Sequence, residues 1–428
     1  MSQTRLARRL LQRLPFHYGW VILAAVLLAC LSRAGPAVAT LSMFVTPMTA
    51  ELGWSRTALA GAVSLGGVLA AVFSPVIGSY LDRHGARLIL GLAVLATGTT
   101  LMLLSTVGSI WSFYLLYCIA RMCWAGPYDL GIHGALNNWF VARRAAVASA
   151  SGFTQTLGIT FMPFIAYAMI EGHGWRSGWL VIGALVLALG LLPSALFLIR
   201  RPEDVGLAPD LGRQPAGSAG AEGTSPAVRR EPTYTRAEAM RTRAFWMLGL
   251  YTALVYPVQA GMSLHQAAHL IEQGLSPASA ATAVSLFSLT SALTGLSYGV
   301  LSRWLSLRFA LAAAGGLLVT AAVAIMAART PGLAVLSGVL FGLGIGGVHV
   351  ILPVAWADAF GRRSFGAIRG VALSLQVAAQ AAGPLLSGIL RDLSGNYRLS
   401  LICFACLSGA AAFAALLIRS PASVAGDR

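Results

Sequence analysis

Lysine is missing from this chain: all thirty basic residues are arginine, and acids number only fourteen. Charged residues make up 10% of its 428 positions, against roughly a quarter in ordinary soluble domains. That scarcity excludes a water-soluble globular protein. The five cysteines, Cys30, Cys118, Cys123, Cys403 and Cys406, all fall within apolar runs. Cys403-x-x-Cys406 has the spacing of a redox or metal pair, but no second pair or ligand loop accompanies it, so packing is the expected role. No HExxH, GxSxG or metal-spaced Cys/His set occurs, which argues against an enzyme and against a metal or cofactor. The glycine-rich Gly342–Gly347 is followed by neither a strand nor Lys-Ser/Thr and reads as close helix packing, not a phosphate loop.

What is abundant is apolar: 57% of residues are hydrophobic, with a mean hydropathy of +0.75. Crossing roughly 30 Å of hydrocarbon takes about 20 such residues. Suitable runs stand near 18–41, 57–80, 87–107, 110–137, 145–169 and 178–199, then near 244–265, 278–301, 309–328, 332–356, 366–390 and 398–418. The pattern predicts an all-α membrane protein of twelve transmembrane helices in two pseudo-symmetric bundles of six, over 18–199 and 244–418. Residues 1–17 and 419–428 are expected as cytoplasmic ends. The interval 200–243 carries five prolines and no apolar periodicity, which predicts a cytoplasmic linker. Within it, Thr235–Arg243 has the makings of a short surface helix. The basic N-terminus leads into a full-length span, unlike a cleavable signal peptide.

The net charge of +16 could suggest nucleic acid. The arginines instead sit in short loops. With both termini cytoplasmic, 23 of the 30 lie inside, five outside, and Arg33 and Arg121 within spans. This is the positive-inside pattern of a multi-pass inner-membrane protein. Two six-span halves joined by a cytoplasmic linker is the parallel-repeat plan of many secondary transporters.

Charged side chains at membrane depth are costly and usually mark function. The segment Tyr117–Arg144 holds Arg121, Asp129 and His133. Tyr117, Arg121, Trp124 and Tyr128 fall at i, i+4, i+7 and i+11, a donor-rich stripe on one face. Two arginines and one aspartate leave a positive charge that a carboxylate substrate would cancel. Two readings of Arg33 and Arg121 stand: substrate contact, or bonds to carbonyls freed at helix breaks invited by Gly35-Pro36 and Gly126-Pro127. Asp129 and His133, at i and i+4, are either a proton-coupling pair or part of a fixed salt bridge. In the second half, Tyr256 with Gln259, His349, and Gln376 with Gln380 are further polar candidates. His265 and His269, at the outer end of the seventh span, are expected to be solvated.

Gly78-Ser-Tyr-Leu-Asp82-Arg83-His-Gly85-Ala-Arg87 matches G-x-x-x-D-R-x-G-x-R/K, the signature loop of the major facilitator superfamily, at every defined position. The resemblance implies a conformational latch built on Gly78, Asp82, Arg83, Gly85 and Arg87. Its counterpart, Gly299–Arg308, carries Arg303 in place of the acid. His17-Tyr-Gly-Trp20, Trp139–Gly152, Arg201–Leu207 and Phe360–Gly370 resemble the bacterial branch of the monocarboxylate-porter and oxalate–formate-exchanger group. That implies a monomeric carrier of small organic anions (mono- or dicarboxylates) working by alternating access, by proton symport or exchange. The superfamily lines its cavity chiefly with the first, fourth, seventh and tenth spans. The arginine that this group carries in the eighth span is absent here, so the anion-binding role falls to Arg121 and Arg33. A multidrug or amphiphile efflux carrier of the same fold is the alternative reading. Such a carrier would favour intramembrane acids.

Overall fold

The computed structural model describes residues 15–210, 232–301 and 304–418. Almost everything in it is helix. In chain order these are α1 Gly19–Ser32, α2 Val38–Leu52, α3 Arg56–His84, α4 Ala86–Leu103, α5 Ile110–Ala125, α6 Pro127–Trp139, α7 Arg144–Val186 and α8 Leu192–Phe197. After a short α9, Arg236–Met240, come α10 Arg243–Glu272, α11 Pro277–Leu301, α12 Leu307–Ala327, α13 Pro331–Phe360, α14 Phe365–Ser394 and α15 Arg398–Leu416.

The boundaries follow from local chemistry. Ser55, Ser109 and Thr242 cap α3, α5 and α10 by accepting backbone N–H bonds from the third residue on, as short hydroxyl side chains do at helix starts. Gly85, at φ +85°, makes the tight turn from α3 to α4 in a region that L side chains rarely adopt. Gly174, at φ +79°, interrupts α7 and separates the fifth from the sixth span.

Eight helical runs among the described residues are long and apolar enough to cross a membrane, one of them, Arg144–Phe197, long enough for two spans. The expected first, fourth and seventh spans are not among these eight. The first is split into α1 and α2 around Gly35-Pro36, and the fourth into α5 and α6 at Gly126. The seventh, α10, is a continuous 30-residue helix with a high polar content. Where the polar side chains concentrate, plain hydropathy weakens.

Close packing divides the chain into two compact units. The first runs to Arg236 and includes Ala357–Gly370, while the second comprises Ala237–Trp356 and Val371–Ala422. The start of the interval 200–243 is ordered. Pro202–Val205 forms a 3-10 turn, and Asp210 pairs in parallel with Phe140. In the second unit, glycine lets helices touch at the backbone. A Cβ on Gly346 would lie 2.2 Å from the Ser291 carbonyl oxygen, and one on Gly383 2.1 Å from that of Pro257. Small residues at such crossings are how membrane helices pack when no hydrophobic drive separates them from lipid.

Candidate functional site

The two broken spans meet at their breaks. Proline at 36 and 127 removes a backbone donor and disfavours helical geometry in the residue before it, and Gly126 takes φ −115°, ψ −84°. Carbonyls beside such breaks need partners at membrane depth. Tyr117 donates its hydroxyl to the Pro36 carbonyl at 3.1 Å, and Arg33 donates Nε to the Trp124 carbonyl at 3.0 Å. Ser32 and Tyr128 share a hydroxyl–hydroxyl bond of 3.2 Å. Tyr117 and Tyr128 are fully buried. The break at Gly126 also ends the single stripe that an unbroken helix would have carried past Trp124. Tyr128 bonds α1, while Arg121 stays over the Trp124 ring.

Arg33 is further held by the Gln155 side chain, to which Nη1 donates at 2.6 Å, and stands 3.7 Å from Asp129. Asp129 also faces Arg369, whose Nη2 donates to it at 3.2 Å, and His133 at 3.8 Å. The sequence placed Arg369 among the inner loop arginines. It is instead only 1% exposed, in the Ala357–Gly370 segment of the first unit. Among the described residues, Asp129 is thus shared by two guanidiniums, Arg33 and Arg369, with Arg121 joined to Arg33 through the Trp124 ring.

Arg121 is the member of this group whose hydrogen bonding is least complete. Its Nε and Nη1 are buried and have no hydrogen-bond partner in the protein. Its Cζ lies 3.9 Å from the centre of the Trp124 ring, which Arg33 approaches to 5.0 Å. A cation over an indole is stabilised by the ring quadrupole, but that contact satisfies no N–H donor. Gly66 makes room for its stem, since a Cβ there would lie 2.6 Å from the Arg121 Cβ. Chemically, this is a guanidinium presented on an aromatic plate with two donors open.

The signature loop is also explained by its contacts. The Asp82 carboxylate accepts the backbone N–H groups of Gly366 and Ala367, both at 2.8 Å, and so caps α14. Gly78 meets the Gly366 backbone so closely that a Cβ would be 1.9 Å from its oxygen. Arg200 donates to the Asp82 carbonyl at 2.6 Å, and its stem packs over Gly85. Arg83 is exposed and Arg87 half-buried. Arg144 pairs with Asp358 at 3.0 Å, and Arg362 with Glu203 and the Asn138 carbonyl. Arg303 lies outside the described residues.

In the second unit, Gln380 donates to Gln259 at 3.1 Å, and the Tyr256 and His349 rings lie roughly parallel, 6.3 Å apart. Gln376 is half-buried on α14. His269 is not solvated: it is 1% exposed, packed with His265 against Tyr397. Among the described residues no group of three or more His, Cys, Asp or Glu is placed to hold a metal.

Three contributors are not marked out as site residues by the sequence: Arg369, Gln155 and Gly66. The glycine had a signal of sorts, lying in the pair Gly66-Gly67 inside an apolar run. Gln155 had none, and Arg369, although inside the run near 366–390, stands within a turn of its arginine-rich inner end.

Residues 22–376 match the Major Facilitator Superfamily model, more than four-fifths of the chain. The chain belongs to the Major Facilitator Superfamily. It is a membrane protein of a transporter family, not an enzyme. Among curated relatives, it is 27% identical over 218 residues to the membrane sensor protein UhpC of Salmonella typhimurium, covering 50% of this chain and 48% of that protein. It is 28% identical over 273 residues to the oxalate:formate antiporter of Oxalobacter formigenes, covering 60% and 58%. These matches thus span about half the length of those relatives. The probable L-galactonate transporter of Escherichia coli matches at 26% over 422 residues, 93% of this chain and 88% of that one. Among solved structures, the superfamily transporter FucP superposes with a TM-score of 0.71 at 10% identity, over 93% of this chain and 98% of that one. This likeness concerns the fold.

Proposed function

We propose that this superfamily member carries small organic anions, mono- or dicarboxylates, across the bacterial inner membrane by alternating access, as a monomer with both termini cytoplasmic. The observation that carries the reading is Arg121, with two buried guanidinium nitrogens unpartnered over Trp124. An unsatisfied charged donor is expensive at membrane depth, and a carboxylate accepting from both nitrogens would relieve that cost with charge-assisted bonds. Arg33 adds positive potential from beside the same ring, although its own donors are engaged. Its bonds to Trp124 and Gln155 favour a role in holding the helix breaks. Tyr117 and Tyr128 line the region as buried supports. Within the second unit, Tyr256, Gln259, His349 and Gln376 are proposed as further substrate-binding groups.

Asp129 is proposed to couple protons through competition: a proton taken up with His133 at hand would release Arg33 or Arg369. The names of the oxalate:formate antiporter and the L-galactonate transporter support the anionic class.

Counterflow of radiolabelled oxalate, lactate and tartrate in proteoliposomes tests the reading. Wild-type protein is expected to exchange at least one of them, and Arg121→Gln to lose exchange while remaining monodisperse in detergent. Undiminished exchange by the variant would sink the assignment.

A further inference from the structure

A groove on the surface of the first unit has no Arg121-region residue in its lining. Where α4 passes the turn of π-helix Leu187–Leu191 and the start of α8, the surface opens into a groove of about 610 Å³. Its floor and walls are Leu88, Gly91, Leu92, Leu95, Leu191 and Ala195, and Arg87 stands at one end. Leu92 and Leu95 are 53% and 41% exposed, as side chains facing lipid should be. π-turns inside helices often mark functional places because the extra residue widens the helix locally.

Gly91 is the telling residue. Other glycines on this seam are needed for packing: a Cβ on Gly98 would lie 2.5 Å from the Leu187 side chain, and one on Gly183 2.5 Å from that of Met102. A Cβ on Gly91 would meet nothing within 4 Å. Glycine inside a helix costs roughly 0.5–1 kcal/mol relative to alanine, and here no neighbouring helix accounts for it. What the missing side chain does is keep the groove open. At the end of that groove, Arg87 has no acidic partner among the described residues.

We propose that this groove is a binding site for an anionic phospholipid, with one acyl chain along Leu88–Leu95 and the phosphate on the Arg87 guanidinium. Basic positions beside gaps between membrane helices, at the arginine-rich face, suit anionic headgroups. A zwitterionic lipid would fill the same apolar channel but would bring no net charge to Arg87.

The test is native mass spectrometry of the full-length protein in detergent, titrated with phosphatidylglycerol or phosphatidylcholine of identical chains. Phosphatidylglycerol is expected to be retained roughly fivefold better, the factor corresponding to about 1 kcal/mol for one juxtamembrane arginine. Arg87→Gln should bring that ratio below twofold. Arg308→Gln, an exposed arginine at the start of α12, should leave it unchanged. Gly91→Leu should lower retention of both lipids severalfold with Arg87 intact. Equal retention of the two lipids by wild type, a preference surviving Arg87→Gln, or full retention by Gly91→Leu would each overturn the proposal. If Arg87→Gln does not fold, the glycine variant and the wild-type ratio decide it alone. Competition by soluble glycerol phosphate equal to that by the lipid would also count against it, since the groove would then contribute nothing.

Discussion

Asp129 is where single side chains matter most. Its carboxylate lies between Arg369, Arg33 and His133, so removing its charge leaves buried guanidiniums uncompensated. Breaking such a pair from one side costs about 3–5 kcal/mol, whereas removing both partners can be nearly neutral. Asp129→Asn is therefore expected to lower the thermal unfolding midpoint strongly, and Asp129→Asn with Arg369→Met to recover most of the loss. A double variant no better than the single would show that the ion pair is not the source of the instability. The aspartate was legible in the sequence because a charge inside an apolar run stands out. Arg369 was not, because its partner is 240 residues away and its own surroundings read as an arginine-rich loop.

Elements depend on backbone contacts that one methyl group would spoil. Gly66 holds α3 against the Arg121 stem, so Gly66→Leu is expected to abolish anion exchange by displacing the guanidinium. Gly91→Leu, open on its outer side, should leave exchange near wild type in the same assay. Asp82→Ala removes the cap on α14 and should cost about 0.5–2 kcal/mol, the range for helix N-caps, read as a lower unfolding midpoint.

The strap after the sixth span gives a pH dependence. Asp210 accepts the Val141 N–H at 2.7 Å, yet burial raises its pKa above the usual carboxylate value, outweighing those backbone bonds and Arg143. A raised folded-state pKa means the contribution to stability is full below the unfolded value and is lost as pH rises through the folded one. Asp210→Asn keeps an acceptor oxygen without the charge. The wild type should therefore be relatively more stable than this variant at acid pH, and the gap should narrow or reverse on going to neutral pH, measured as unfolding midpoints against pH.

For the whole molecule, the arginine asymmetry predicts sidedness. On a cysteine-free background, Ser218→Cys should resist a membrane-impermeant maleimide in intact cells, and Thr330→Cys should react. The reverse labelling would invert the topology. Membrane character, helical content and family were legible from the sequence because hydropathy adds up locally along a span and the signature loop is contiguous. The first, fourth and seventh spans were found as runs, but the breaks at Gly35-Pro36 and Gly126-Pro127 were visible only as invitations. Only the tertiary structure decided which arginine is engaged by carbonyls, which is paired with Asp129, and which is left with open donors on Trp124. Those outcomes depend on distances of a few ångströms between residues far apart in sequence, in a medium where charge interactions are weakly screened, and no local pattern encodes them.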